Sequence, residues 1–271
     1  MRRKALCICD CMSFKLLIEK EINVIIPKYK QPCCIIFDNI EYVNWRGGTY
    51  PDGEPRPVFR GYVHFVSLVL FPIGFGIYQY QCTSTIYTKC CYISILLALI
   101  LMFGISSHFH RLDIHPNYHR ILKRLDHSTI FFFIGSSYNP FALLLVQRSH
   151  IYYLGYLFVV VNCSMIMIGA IHSISKTLTS KQSDTSVFFV LGQAFCIVPF
   201  LYHISLVVSY FTLICLSLTW LIQATGVTIY KKQLCNRFAD TFGYHEWFHV
   251  CTVIGTLTAF GYIIPTMVLL N

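Results

Sequence analysis

Six stretches of this chain contain no Asp, Glu, Lys or Arg: residues 61–88, 90–110, 127–147, 149–175, 185–230 and 247–271. A helix of about 20 apolar residues crosses the hydrocarbon core of a bilayer. Within that core every backbone polar group must be bonded inside the protein, so segments of this kind are continuous helices. Five of the stretches hold one span each. The stretch at 185–230 is 46 residues long, enough for two spans joined by a tight turn near 203–206. The expected fold is therefore an all-α membrane protein, a bundle of seven transmembrane helices. Its spans fall near 61–80, 90–110, 127–147, 151–173, 186–204, 207–230 and 246–269. Composition agrees: 12% of the residues are charged and 55% are hydrophobic, whereas a soluble domain carries about 25% charge.

A net charge of +9 would suggest nucleic acid in a soluble protein, but the placement of the charge points elsewhere. Ten of the 21 Lys and Arg residues precede residue 61. With seven spans, the loops fall alternately on two sides. The N-terminal side collects 19 of the 21 basic residues and the other side only Lys89 and Arg148. Positive-inside bias then puts the N-terminus in the cytoplasm. No nucleic-acid partner is expected; the partner implied is membrane lipid, and self-association into an oligomer is compatible with such a bundle.

Residues 1–57 read as a cytosolic extension, partly disordered, and residues 58–271 as the membrane domain. Within the extension, 14–18 reads as a short amphipathic helix on the membrane surface, and the Pro- and Gly-rich 51–57 as a hinge. Asp10, Lys15 and Glu19 interrupt any apolar core that a signal peptide would need. The 13 cysteines show no spaced framework, and several sit in spans, where free thiols behave as small hydrophobes.

The chemistry lies in the polar residues at span ends. His245 and His249 are four residues apart, so they share one helix face with Cβ atoms roughly 5–6 Å apart. Ser106 and His110 share a face at the end of span 2 in the same way. Asp126 opens span 3. Counting spans puts the end of span 2, the start of span 3 and the start of span 7 on one side of the membrane, so three separated pieces meet at one depth. Histidines in a span are costly and call for a reason. Three histidines with one open position form a catalytic zinc arrangement. Zinc lowers the pKa of water in the open position to roughly 7 and supplies a nucleophile. Asp126 is placed to hold that water and act as general base. Ser106 is placed to donate a hydrogen bond to an oxyanion or to the water. Arg60 reads as a marker of the membrane interface rather than part of a site, and His64 follows it by one helical step. His172 and His203 read as packing or interface residues, and Trp247 as an interfacial anchor.

Several segments, in order, resemble the hemolysin III branch of the progestin and adipoQ receptor family, related to the alkaline ceramidases. They are Arg56-Pro57-Val58-Phe59-Arg60-Gly61-Tyr62-Val63-His64, the Ser106 to Phe109-His110 segment, Leu125-Asp126-His127-Ser128-Thr129-Ile130-Phe131, Gly135-Ser136-Ser137-Tyr138-Asn139-Pro140, and Phe242-Gly243-Tyr244-His245-Glu246-Trp247-Phe248-His249. The resemblance implies a seven-helix bundle with its N-terminus inside. It also implies zinc held by His110, His245 and His249, with Asp126 and Ser106 close by, and a metal-dependent hydrolysis of lipid amides such as ceramides. Phe109 stands where the family commonly has tyrosine, and Asn139 where it commonly has threonine. Three other functions compete with the lipid amidohydrolase: a receptor or regulator with structural zinc, a lytic pore-forming protein, and a metalloprotease. The protease reading takes His245-Glu246-x-x-His249 as its motif with Glu246 as base.

Overall fold

The computed structural model describes residues 34–37, 40–43, 57–82, 85–111, 116–148, 150, 152–175 and 185–271. The helix expected over 14–18 and, apart from Pro57, the hinge expected over 51–57 lie outside these residues. Ahead of the helical region, β1 (Cys34–Phe37) and β2 (Ile40–Val43) pair as an antiparallel hairpin, an element not expected from the sequence.

Eight α-helices follow among the described residues: α1 (Tyr62–Cys82), α2 (Ile86–Arg111), α3 (Pro116–Arg148), α4 (Tyr152–Ser175), α5 (Thr185–Phe195), α6 (Leu201–Ser205), α7 (Tyr210–Lys231) and α8 (Tyr244–Leu270). Among the described residues, six helical segments are long and apolar enough to cross a membrane: α2, Ile121–Arg148 of α3, α4, Phe188–Ser205, α7 and α8. Tyr62–Ile77 is a shorter apolar helix ahead of them.

Three boundaries differ from expectation, each for a local reason. Helix α3 starts at Pro116, about three turns before the expected start near 127. Proline at the first helical position lacks only an N–H that has no partner there anyway. Helix α2 starts at Ile86 and takes Lys89 into its first turn; a lysine stem lies along apolar surface while its ammonium stays in water. The double span turns at 206–209 rather than 203–206, with His203 still inside α6. Ser209 caps α7 by accepting the Thr212 N–H at 3.3 Å. A 3-10 turn, Val198–Phe200, interrupts this span at Pro199, which cannot continue a hydrogen-bonded helix.

Helix α3 is central and packs against α2, α4, α5 and α8. Its Tyr138, Phe141, Leu144 and Leu145 are fully buried, against Ile95, Leu99 and Phe103 of α2 and Tyr262, Ile263 and Met267 of α8. Leu70, Val160 and Leu221 face outward, as lipid-facing residues should. Bilayer lipid gives helices no hydrophobic reason to associate, so close backbone approach and interhelical hydrogen bonds take over. A Cβ on Gly226 would lie 2.7 Å from Cys251 Cβ across the α7–α8 contact, and one on Gly155 would lie 2.5 Å from the Val146 backbone across α3–α4. A polar ladder ties α2, α3, α4 and α5 together. Asn162 Nδ2 donates to Gly135 O (2.9 Å) and Asn139 Oδ1 (3.1 Å). Gln193 Nε2 donates to Asn162 Oδ1 at 3.0 Å, and Asn139 Nδ2 to Ser94 Oγ at 3.3 Å. Asn139 thus has a structural task.

Candidate metal centre

Gly243 caps the start of helix α8, and the Glu246 carboxylate reaches back to accept the Gly243 N–H at 2.7 Å. This is the glutamate arm of a capping box. It sets the first turn of α8, so His245 and His249 project from one face one turn apart. Across from them, His110 stands in the last turn of α2. The ring centroids of His110, His245 and His249 are 4.6–5.0 Å apart. One ligating nitrogen from each lies within 4.8 Å of the others, with His110 and His249 buried and His245 half-buried, so the group is able to hold a metal ion.

The donor set fits such an ion. Imidazole nitrogens on a tetrahedral zinc sit roughly 3.3 Å apart, so modest rotation of the rings closes the set. His249 supplies a sharper observation. Its Nδ1 is 3.0 Å from His64 Nε2, and its Nε2 is buried with no hydrogen-bond partner among the described residues. A buried ring nitrogen without a partner is expensive, and a metal ion on Nε2 removes the expense.

Asp126 lies beside the histidines rather than among them. Its Oδ2 is 3.9 Å from His110 Nε2, beyond a direct hydrogen bond. Buried Ser106, one turn before His110 on α2, lies beside the Asp126 carboxylate. Tyr230 of α7 closes another side, its ring 5.1 Å from that of His245. All five site residues expected from the sequence are therefore gathered at one end of the bundle, while His108 points outward.

One expectation needs correction. Arg60 does not mark the interface: it is buried, and its Nε pairs with Glu246 Oε1 at 2.6 Å. Glu246 is completely buried, with one oxygen on Arg60 and the other on the Gly243 N–H. A carboxylate held this way is not free to serve as the base of a His-Glu-x-x-His protease. His64 was passed over in the sequence, yet its ring sits 4.0 Å from that of His249. The available signal was its position at the start of span 1, on the same side as the other histidines.

Two cavities lie elsewhere. One of about 350 Å³ runs along α7 by Tyr210 and Leu221, and one of about 340 Å³ lies between α6 and α7 by Tyr202 and Trp220; no histidine lines either.

Residues 53–260, from before α1 to within α8, match the model of a family described as haemolysin-III related. A match of that length, together with six apolar helices able to cross a membrane, makes this an integral, multi-pass membrane protein, and the chain belongs to the haemolysin-III-related family.

Proposed function

We propose that this protein is a zinc-dependent hydrolase of lipid amides of the ceramide type, built on seven spans with its N-terminus in the cytoplasm. In this reading α1 is the seventh span, and the 19-to-2 split of basic residues between the two sides supports the orientation. The observation that carries the reading is the meeting of buried His110 and His249 and half-buried His245 with Ser106 and Asp126 at one end of the bundle.

His110, His245 and His249 would hold the ion. Zinc so held supplies Lewis acidity toward a carbonyl oxygen and a water nucleophile at neutral pH. Asp126 accepts the proton of the attacking water and returns it to the leaving nitrogen. Ser106 orients the Asp126 carboxylate through its hydroxyl. The polar depth of the site suits an amide at the edge of the hydrocarbon, with its chains running into the bilayer. Helix α7 packs along α8, and α5 along α4 and α3. Helices α5 and α7 share no extended interface among the described residues and meet at Phe195 and Trp220, with rings 5.4 Å apart. That seam, walled near the site by Tyr230, is the route assigned to the acyl chain.

A second reading, a receptor or regulator with structural zinc, draws on the packing below the site. Phe103 of α2, Phe141 of α3 and Tyr262 of α8 are buried there. The deciding experiment incubates the purified, zinc-loaded protein with ceramides and measures released fatty acid and sphingoid base. The hydrolase reading requires release that Asp126→Ala abolishes. Absence of release from every lipid amide tested, with zinc bound, favours the structural reading.

A further inference from the structure

We propose that His64 is a positioning residue of the metal centre: its Nε2 accepts a hydrogen bond from His249 Nδ1–H and so presents His249 Nε2 to the ion. This inference rests on the zinc reading of the three-histidine group. A neutral imidazole carries one proton on one of two nitrogens, and the partner of one nitrogen decides the role of the other. The 3.0 Å contact between His249 Nδ1 and His64 Nε2 is compatible with either direction of donation. If His64 donated, His249 would carry its proton on Nε2 and could not ligate. Metal on Nε2 requires the proton on Nδ1, and His64 Nε2 is the acceptor that meets it. Histidine ligands commonly give their second N–H to such a partner, usually a carboxylate or carbonyl; here another imidazole takes the place.

His64 is no fourth ligand in this arrangement, because it lies outside the group of mutually close ligating atoms. Three sets of contacts hold its ring or the segment that leads to it. Phe103 meets it edge-on, with centroids 5.1 Å apart. Backbone bonds from Val58 N to Asp240 O (3.0 Å) and from Phe59 N to Thr241 O (3.2 Å) staple the approach to α1 onto the loop before α8. Arg60 then pairs with Glu246, one residue after His245. The segment Arg60-Gly61-Tyr62-Val63-His64 thereby acquires a shared purpose: it holds His64 and the first turn of α8 in fixed relation.

The test uses the full-length protein in detergent. His64→Leu and His64→Phe fill the space without an acceptor, whereas His64→Gln keeps one. Zinc affinity is measured by chelator competition, ligand geometry by the visible absorption of cobalt(II)-loaded protein, and folding by thermal melting of the zinc-free forms. Loss of the acceptor should weaken zinc binding about 10–100-fold and alter the cobalt spectrum, and glutamine should restore most of both. Two acceptor-less variats give the result a second route should one fail to fold. Wild-type affinity in either folded acceptor-less variant overturns the proposal, as does a glutamine variant no better than leucine or phenylalanine. A wild-type protein that takes up no zinc or cobalt removes the metal reading itself, and the inference with it.

Discussion

Gly61 offers a perturbation whose size follows from the structure. Its φ is +78°, in the left-handed region. A Cβ there would lie 2.8 Å from Arg111 Cγ, 3.0 Å from His110 Cβ and 3.1 Å from Ser107 O. Gly61→Ala therefore meets two penalties. The left-handed backbone disfavours alanine by about 1–2 kcal/mol, and overpacking against the end of α2 adds about 1–3 kcal/mol. The expected destabilisation is about 2–5 kcal/mol, read from an SDS unfolding titration followed by circular dichroism. Because one of the crowded atoms belongs to His110, the clash moves this proposed metal ligand by a few tenths of an ångström. Zinc affinity should fall along with stability. Gly61→Asn separates the two penalties, since asparagine tolerates the left-handed region but keeps the clash. A loss below about 1 kcal/mol for Gly61→Ala, with zinc affinity unchanged, would refute the argument that Gly61 backs His110.

Other outcomes follow from the same geometry. Asp126→Ala should abolish amide hydrolysis while the purified protein keeps its zinc; loss of metal as complete as in His249→Ala would make Asp126 a ligand instead. Arg60→Met leaves the fully buried Glu246 without its cation, and an uncompensated buried charge costs about 3–5 kcal/mol; an SDS unfolding titration showing a loss below about 1 kcal/mol would mean the pair is solvated. Asn162→Leu removes three interhelical hydrogen bonds, worth about 0.6 kcal/mol each in a membrane, so the same titration should show a loss of about 2 kcal/mol without any change in zinc content.

Much of this was legible from residue order because the bilayer imposes a simple rule. Charge-free runs of span length had to be helices, and the i, i+4 step of His245 and His249 needed only helical geometry. The convergence of Ser106, His110 and Asp126 on that pair followed from counting spans. What escaped were features settled by contacts between distant parts of the chain. His64 meets His249 across 185 positions, and Arg60 meets Glu246 across a similar separation. Read locally, Arg60 resembles any basic residue at a membrane edge, and Glu246 resembles a protease base. Only their pairing shows that each is occupied. The early start of α3 escaped for a different reason: 116–125 is too charged for a span, yet a helix can extend past the hydrocarbon into water.

His110, His245 and His249 are proposed to hold a catalytic zinc with one open position, and zinc-edge X-ray absorption on the purified protein tests this. One zinc per chain is expected, with three imidazole nitrogens at about 2.0–2.1 Å and one oxygen from water completing the set. A fourth protein nitrogen or sulfur on the ion, or a protein that retains no zinc at all, would contradict it.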